Sequence, residues 1–227
     1  EVTNNSAVTA LVSGASTITT NGDTAVGVLA FAVGAGTARA DVSGATTVTT
    51  NGTNSSAVSV RSRGATEVNI TDAGTTLTAT QNNASGIWVR QGIQGATSTF
   101  DVFVGDGVVV TGGQGVDSAG IEIDSQTGNT GIIQIANGAT IGVGVGARAG
   151  IWDKDGDATV TSAGLVNGVP NGTAIDTGDG EDTVNLIALS MTNGDVDTGA
   201  DDDTVNMFSA TSGDLATLNG GITTGLG

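Results

Sequence analysis

DVSGATTVTTNGTNSSAVSVRSRGATEVNITD, Asp41 to Asp72, decides the fold because it restates the stretch before it. VSGASTITTNGDTAV at Val12 to Val26 returns as VSGATTVTTNGTNSSAV at Val42 to Val58, with Gly14 and Gly44 30 residues apart. Gly74, in DAGTTLTAT, lies 30 further on, and its apolar neighbour Leu77 has slipped one place relative to Ile18 and Val48. Repetition at roughly 20 to 50 residues marks a solenoid or array, in which each repeat buries its apolar face only against its neighbours.

Each copy divides into three short runs separated by Asn-Gly or Gly-rich breaks. STITT (16–20), AVGVLAF (25–31) and TARADV (37–42) are followed by TTVTT (46–50), AVSVR (57–61) and TEVNIT (66–71). Three further sets continue the order: TTLTAT (75–80), GIWVR (86–90) and STFDVFV (98–104); VVVT (108–111), GIEID (120–124) and GIIQIA (131–136); ATIGV (139–143), AGIWD (149–153) and ATVTS (158–162). Runs rich in Val, Ile and Thr with period-two alternation are strands, and no stretch carries sustained helical spacing. Three strands per turn, stacked about 4.8 Å apart, give three parallel sheets around one core. The expected fold is therefore all-β, a three-sided parallel β-helix, right-handed by the crossover rule. Parity places Ile18, Val48 and Leu77 inward on the first side, and Val26, Val28, Val58, Val60, Ile87, Val89, Ile121, Ile123 and Ile151 inward on the second.

A solenoid needs no second core, so residues 1–227 are expected to form a single domain: turns of about 30 residues over 1–163 and shorter acidic turns over 164–227. AVTALV (7–12) fits as the end of an earlier turn, 30 residues before TARADV. The start at Glu1 in mid-pattern and the stop at Gly227 inside GITTGLG suggest a piece of a longer chain. With 38 Gly and one Pro, the composition is that of turn-rich β structure. The seven Asn-Gly pairs supply corner residues that accept positive φ. A net charge of −17, arising from only six basic residues, disfavours nucleic acid and anionic membranes as partners. Cys is absent, which excludes disulfides and thiolate metal sites and is compatible with export through an oxidising compartment.

In the last third IDTGDGEDTVNL (175–186) recurs as VDTGADDDTVNM (196–207), 21 residues later. From Asp176 onward there are ten acidic residues and no Lys or Arg. Gly-rich, Thr/Asn/Val-rich turns without Cys, closed by this D-T-G-x-x-x-D-T-V-N repeat, resemble the passenger regions of bacterial autotransporters, the type V secretion family. The resemblance implies a right-handed β-helix carried to the bacterial cell surface by an outer-membrane barrel, and a role in adhesion, aggregation or biofilm formation. It implies as partner a host surface protein, a glycan or another copy of the chain.

Several residues compete as sites. TGDGEDTVN (177–185) resembles the calcium nonapeptide G-G-x-G-x-D-x-U-x with Thr177 in place of the first Gly, and would offer Asp179 and Asp182 to a hard cation. DKDGDAT (153–159) spaces Asp153, Asp155 and Asp157 as a calcium loop does, although Ala158 and Gly164 stand where an EF-hand has Gly and Glu. No cofactor other than a calcium ion is expected. T-x-T recurs at Thr17/Thr19, Thr47/Thr49 and Thr76/Thr78, so Thr pairs project from one flat face, as in an ice-binding solenoid. On the second side, inward Ile87, Val89 and Ile151 require Trp88 and Trp152 to face outward with Arg61, Arg90 and Glu122; Trp and Arg are the residues most enriched at binding hot spots. The alternative for those tryptophans is shielding by a loop such as Gln91 to Thr97 or by a neighbouring subunit. Some β-helices act on polysaccharides, and the carboxylate pairs Asp153/Asp155 and Glu122/Asp124 are the acid–base candidates in a chain without His, Cys or Tyr. Spacing singles out neither pair. A non-catalytic adhesin or stalk segment is the expected function, with an ice-binding solenoid and a polysaccharide-acting enzyme as alternatives.

Overall fold

A computed structural model describes residues 6–92, 98–209 and 214–225. One full turn consists of Thr47–Thr50 on the first side, Ser56–Ser62 on the second and Thr66–Ile70 on the third. Each side is an eight-stranded sheet whose neighbours are successive turns, all paired in parallel. All the regular elements of the described residues are strands. The turn length read from the repeats is visible in the register: Val8 faces Ala38, Thr17 faces Thr47, and in the last third Val184 faces Val205.

The register stacks like side chains into ladders. Val28, Val58, Ile87, Ile121, Ile151, Ile175 and Val196 follow one another up the second side. From Val58 onward they are fully buried. Opposite them, Val48, Leu77, Val110, Ile141 and Val166 rise from the first side, and Val68, Val102, Ile133, Val160 and Val184 from the third. Burying each such side chain contributes about 1.5–3 kcal/mol, and the β-branched shapes fit a pleated, narrow interior. Ile18 packs against this core but is only partly covered, because its strand ends the first-side sheet.

One inward assignment from parity fails. Val26 is only half-buried and stands in register with Ser56 and Ser85 rather than in the core ladder. The reason is a slip in the alternation at the corner between the first and second sides. There Gly27, Gly86, Gly120 and Gly150 face inward immediately before an inward Val or Ile. A Cβ on Gly120 would lie 2.5 Å from Ile141 Cγ2 and 2.6 Å from the Gly150 carbonyl oxygen. Ala57 and Ala174, the two turns that carry a side chain at this position, are fully buried. Two successive inward residues cannot both be large, so the column is restricted to Gly and Ala.

The Asn-Gly corners do more than turn the chain. Asn51 Nδ2 donates to Asn21 Oδ1 at 2.9 Å, and Asn219, Asn193 and Asn167 form a second ladder at 2.8 Å per step. Amide side chains stacked at the strand spacing satisfy one another from turn to turn, as stacked Asn does in cross-β assemblies.

Candidate recognition face

Beyond the glycine column, alternation resumes on the second side and projects two columns outward. Ser59, Trp88, Glu122, Trp152, Asp176 and Asp197 stand in one. Phe31, Arg61, Arg90 and Asp124 stand in the other, two residues further along each strand. Trp88 and Trp152 are therefore outside the core, and each is half-buried beneath cations. The Arg61 guanidinium lies 4.3 Å from the Trp88 ring centroid; Lys154 Nζ and the Arg148 guanidinium lie 4.7 and 5.7 Å from that of Trp152. At these distances a cation is held by the ring quadrupole. Trp88 Nε1 is buried and has no hydrogen-bond partner among the described residues. Of the loop Gln91 to Thr97, a candidate shield for the tryptophans, 93–97 lie outside the described residues.

Glu122, between the two tryptophans, is nearly covered. It receives a hydrogen bond from Ser85 Oγ at 2.5 Å and an ion pair from Lys154 Nζ at 2.9 Å. Burial works to lower the Lys154 pKa, but the neighbouring Glu122 and Asp124 carboxylates overcome it and hold the ammonium above the ordinary lysine value. Arg90 pairs with Asp124 at 3.3 Å, and Arg148 with Asp176 at 2.6 Å. All five residues read from sequence on this side are thus brought onto one face. Arg148 and Lys154, which cover Trp152, were not singled out, because they lie outside the strand positions that alternation can assign.

At the low-numbered end of this face lies a cleft of about 410 Å³ bordered by Phe31, Val33, Arg61, Arg63, Arg90 and the Asp124 carboxylate that pairs with Arg90. Phe31 and Val33 are more than half exposed. The spacing Arg61 to Arg90, one turn apart, was its only trace in the sequence. No protein family, curated protein or solved structure matches the chain.

The acidic turns are arranged differently from a calcium loop. Asp153 follows the inward parity of Ile151 and is fully buried, in register with Ile123. Its carboxylate accepts a hydrogen bond from Ser125 Oγ. Asp182 is also buried and accepts the Ala158 N–H at 2.7 Å. Burial pushes the Asp153 carboxyl well up, and pushes that of Asp182 to about 7. Asp155 and Asp179 are instead bridged on the outer corner, and Asp157 receives the Glu181 N–H at 3.1 Å. The five aspartates split between interior and surface, and among the described residues no three acidic side chains are placed to hold a metal ion. The same split separates Asp153 from Asp155 as a carboxylate pair, while Glu122 and Asp124 share Lys154.

The threonines do stand in columns on the first side. Thr17, Thr47 and Thr76 are in register, as are Thr19, Thr49, Thr78 and Thr111. Val109 interrupts the first column, and Gly142 followed by Asn167 ends the second.

Proposed function

We propose that this chain is a non-catalytic segment of a bacterial cell-surface protein of the autotransporter passenger type, a rod that presents its second side for adhesion or self-association. The observation that carries this reading is the outward Trp88–Glu122–Trp152 column with its bound cations, which concentrates the chain's two Trp and four of its six basic residues on one side of an otherwise acidic rod. Aromatic and Arg side chains supply most of the energy at interaction surfaces. A reading as a polysaccharide-acting enzyme has less support, since its candidate carboxylate pairs are split or neutralised by Lys154.

Displayed on a bacterial surface, the chain is expected to cause cell–cell aggregation or adhesion to glycan-coated surfaces. Trp88→Ala combined with Trp152→Ala is expected to reduce both by most of their extent while the purified rod keeps its β circular dichroism. Absence of any aggregation or adhesion by the unaltered rod would overturn the reading. The registered Thr columns support a second reading, ice binding, to which thermal hysteresis of the same purified protein speaks directly.

A further inference from the structure

The cleft at the low-numbered end of the second side holds the chain's unspent positive charge. Four of the six basic residues have a carboxylate partner: Arg39 with Asp41 and Glu67, Arg90 with Asp124, Arg148 with Asp176, and Lys154 with Glu122. Among the described residues Arg61 and Arg63 have none, in a molecule with 23 acidic side chains. Both border the cleft. Arg61 also stands directly opposite Arg90 on the neighbouring strand, an arrangement of like charges that costs stability. Burial, and then the Arg90 charge, lower the Arg61 pKa.

Arg61 is held ready for a ligand. Its Nε donates to Ser59 Oγ at 3.1 Å and its guanidinium lies over Trp88, which leaves the terminal nitrogens of the fork uncommitted among the described residues. A guanidinium fixed in this way recognises a planar carboxylate through two parallel hydrogen bonds. Beside it, Phe31 and Val33 offer an exposed apolar wall, and Phe31 is in register with Arg61 itself. A cavity of this size, mostly apolar with a few convergent polar groups, suits one small ring-bearing ligand rather than a protein surface.

We propose that this cleft binds a sugar unit bearing a single carboxylate, with the carboxylate on Arg61 and Arg63 and the apolar face of the ring against Phe31. A polyanion is disfavoured because the rest of the rod repels it, whereas one acidic ring on a neutral glycan meets Arg61 and Arg63, the carboxylate that lines the cleft, Asp124, being paired with Arg90 and Lys154. The proposal rests on the reading of the second side as a recognition face and names its ligand class.

Calorimetric titration of the purified chain with sialyllactose, with lactose as the neutral control, tests it. Saturable binding of sialyllactose that weakens with added salt, with none for lactose, is expected. Arg63→Ala, which alters only an exposed side chain, and Arg61→Lys, which keeps the charge over Trp88 but loses the fork, should each weaken binding about tenfold with unchanged melting temperature. Equal binding of the two sugars, no binding of either, or full affinity in both variants would overturn the proposal. So would concentration-dependent self-association in sedimentation that both variants abolish, since the cleft would then hold an acidic face of a second copy. Because the titration uses free sugar and purified rod, its failure with surface adhesion intact removes the ligand assignment and leaves the adhesive reading standing.

Discussion

Asp153 and Asp182 are carboxyls that the β-helix places in its interior, each with one oxygen that has no hydrogen-bond partner among the described residues. Burial disfavours the charged form, so the proton is retained to higher pH than in the unfolded chain. Below about pH 4 Asp182 is protonated in both states, and neither gains. Between there and its folded value of about 7 only the folded chain keeps the proton, so the stability that Asp182 supports declines as pH rises through that window. Above it the full cost of a buried charge is present. Asp182→Asn keeps an oxygen to accept the Ala158 N–H and removes the charge. It is expected to raise the melting temperature by several degrees at pH 8 and by distinctly less at pH 5, where only the first part of that decline has occurred. Equal shifts at both pH values would show that the carboxylate charge is not the cause.

Among the elements, the second-side strands from Val26–Phe31 to Thr173–Asp176 are the most constrained, because each carries two inward residues in succession. Gly120 meets Ile141 and the next turn's backbone, so Gly120→Val has no space to occupy without displacing main chain. A loss of about 3 kcal/mol or more is expected, read as the shift of a urea unfolding midpoint. Thr47→Asp, on the outward face of a first-side strand, should shift the midpoint by less than about 0.5 kcal/mol. Comparable losses in the two variants would mean that the corner tolerates a side chain by moving. The register between turns rests on the Asn ladders as well as on the apolar ladders, since both repeat at the strand spacing.

For the whole molecule, the net charge of −17 and the run of aspartates along the later turns make self-repulsion a general term in stability. Added salt is expected to raise the melting temperature by screening. Submillimolar calcium is expected to do no more than sodium chloride of equal ionic strength, because the aspartates divide between core and surface. A specific ion would stabilise the folded state by mass action far beyond that, and the excess would vanish in Asp182→Asn. Differential scanning calorimetry of the two proteins in both salts distinguishes these outcomes.

Repeat length and strand alternation were enough to determine the three sides, the parallel pairing and most of the core, since each depends on distances along the chain that stacking converts directly into contacts. The outward positions of Trp88 and Trp152 followed from the inward Ile beside them by the same rule. What only the tertiary structure decided lies where that rule breaks or where turns meet. The slip at Gly27, Gly86, Gly120 and Gly150 sends Val26 out of the core, and Asp153 and Asp182 enter it although their runs read as calcium-type turns. The cations over the tryptophans and the unpaired Arg61 and Arg63 beside Phe31 depend on side chains from different turns reaching across the surface. Periodicity specifies which face a residue leaves from, whereas long side chains choose partners by charge and space, and those are set only when the turns are stacked.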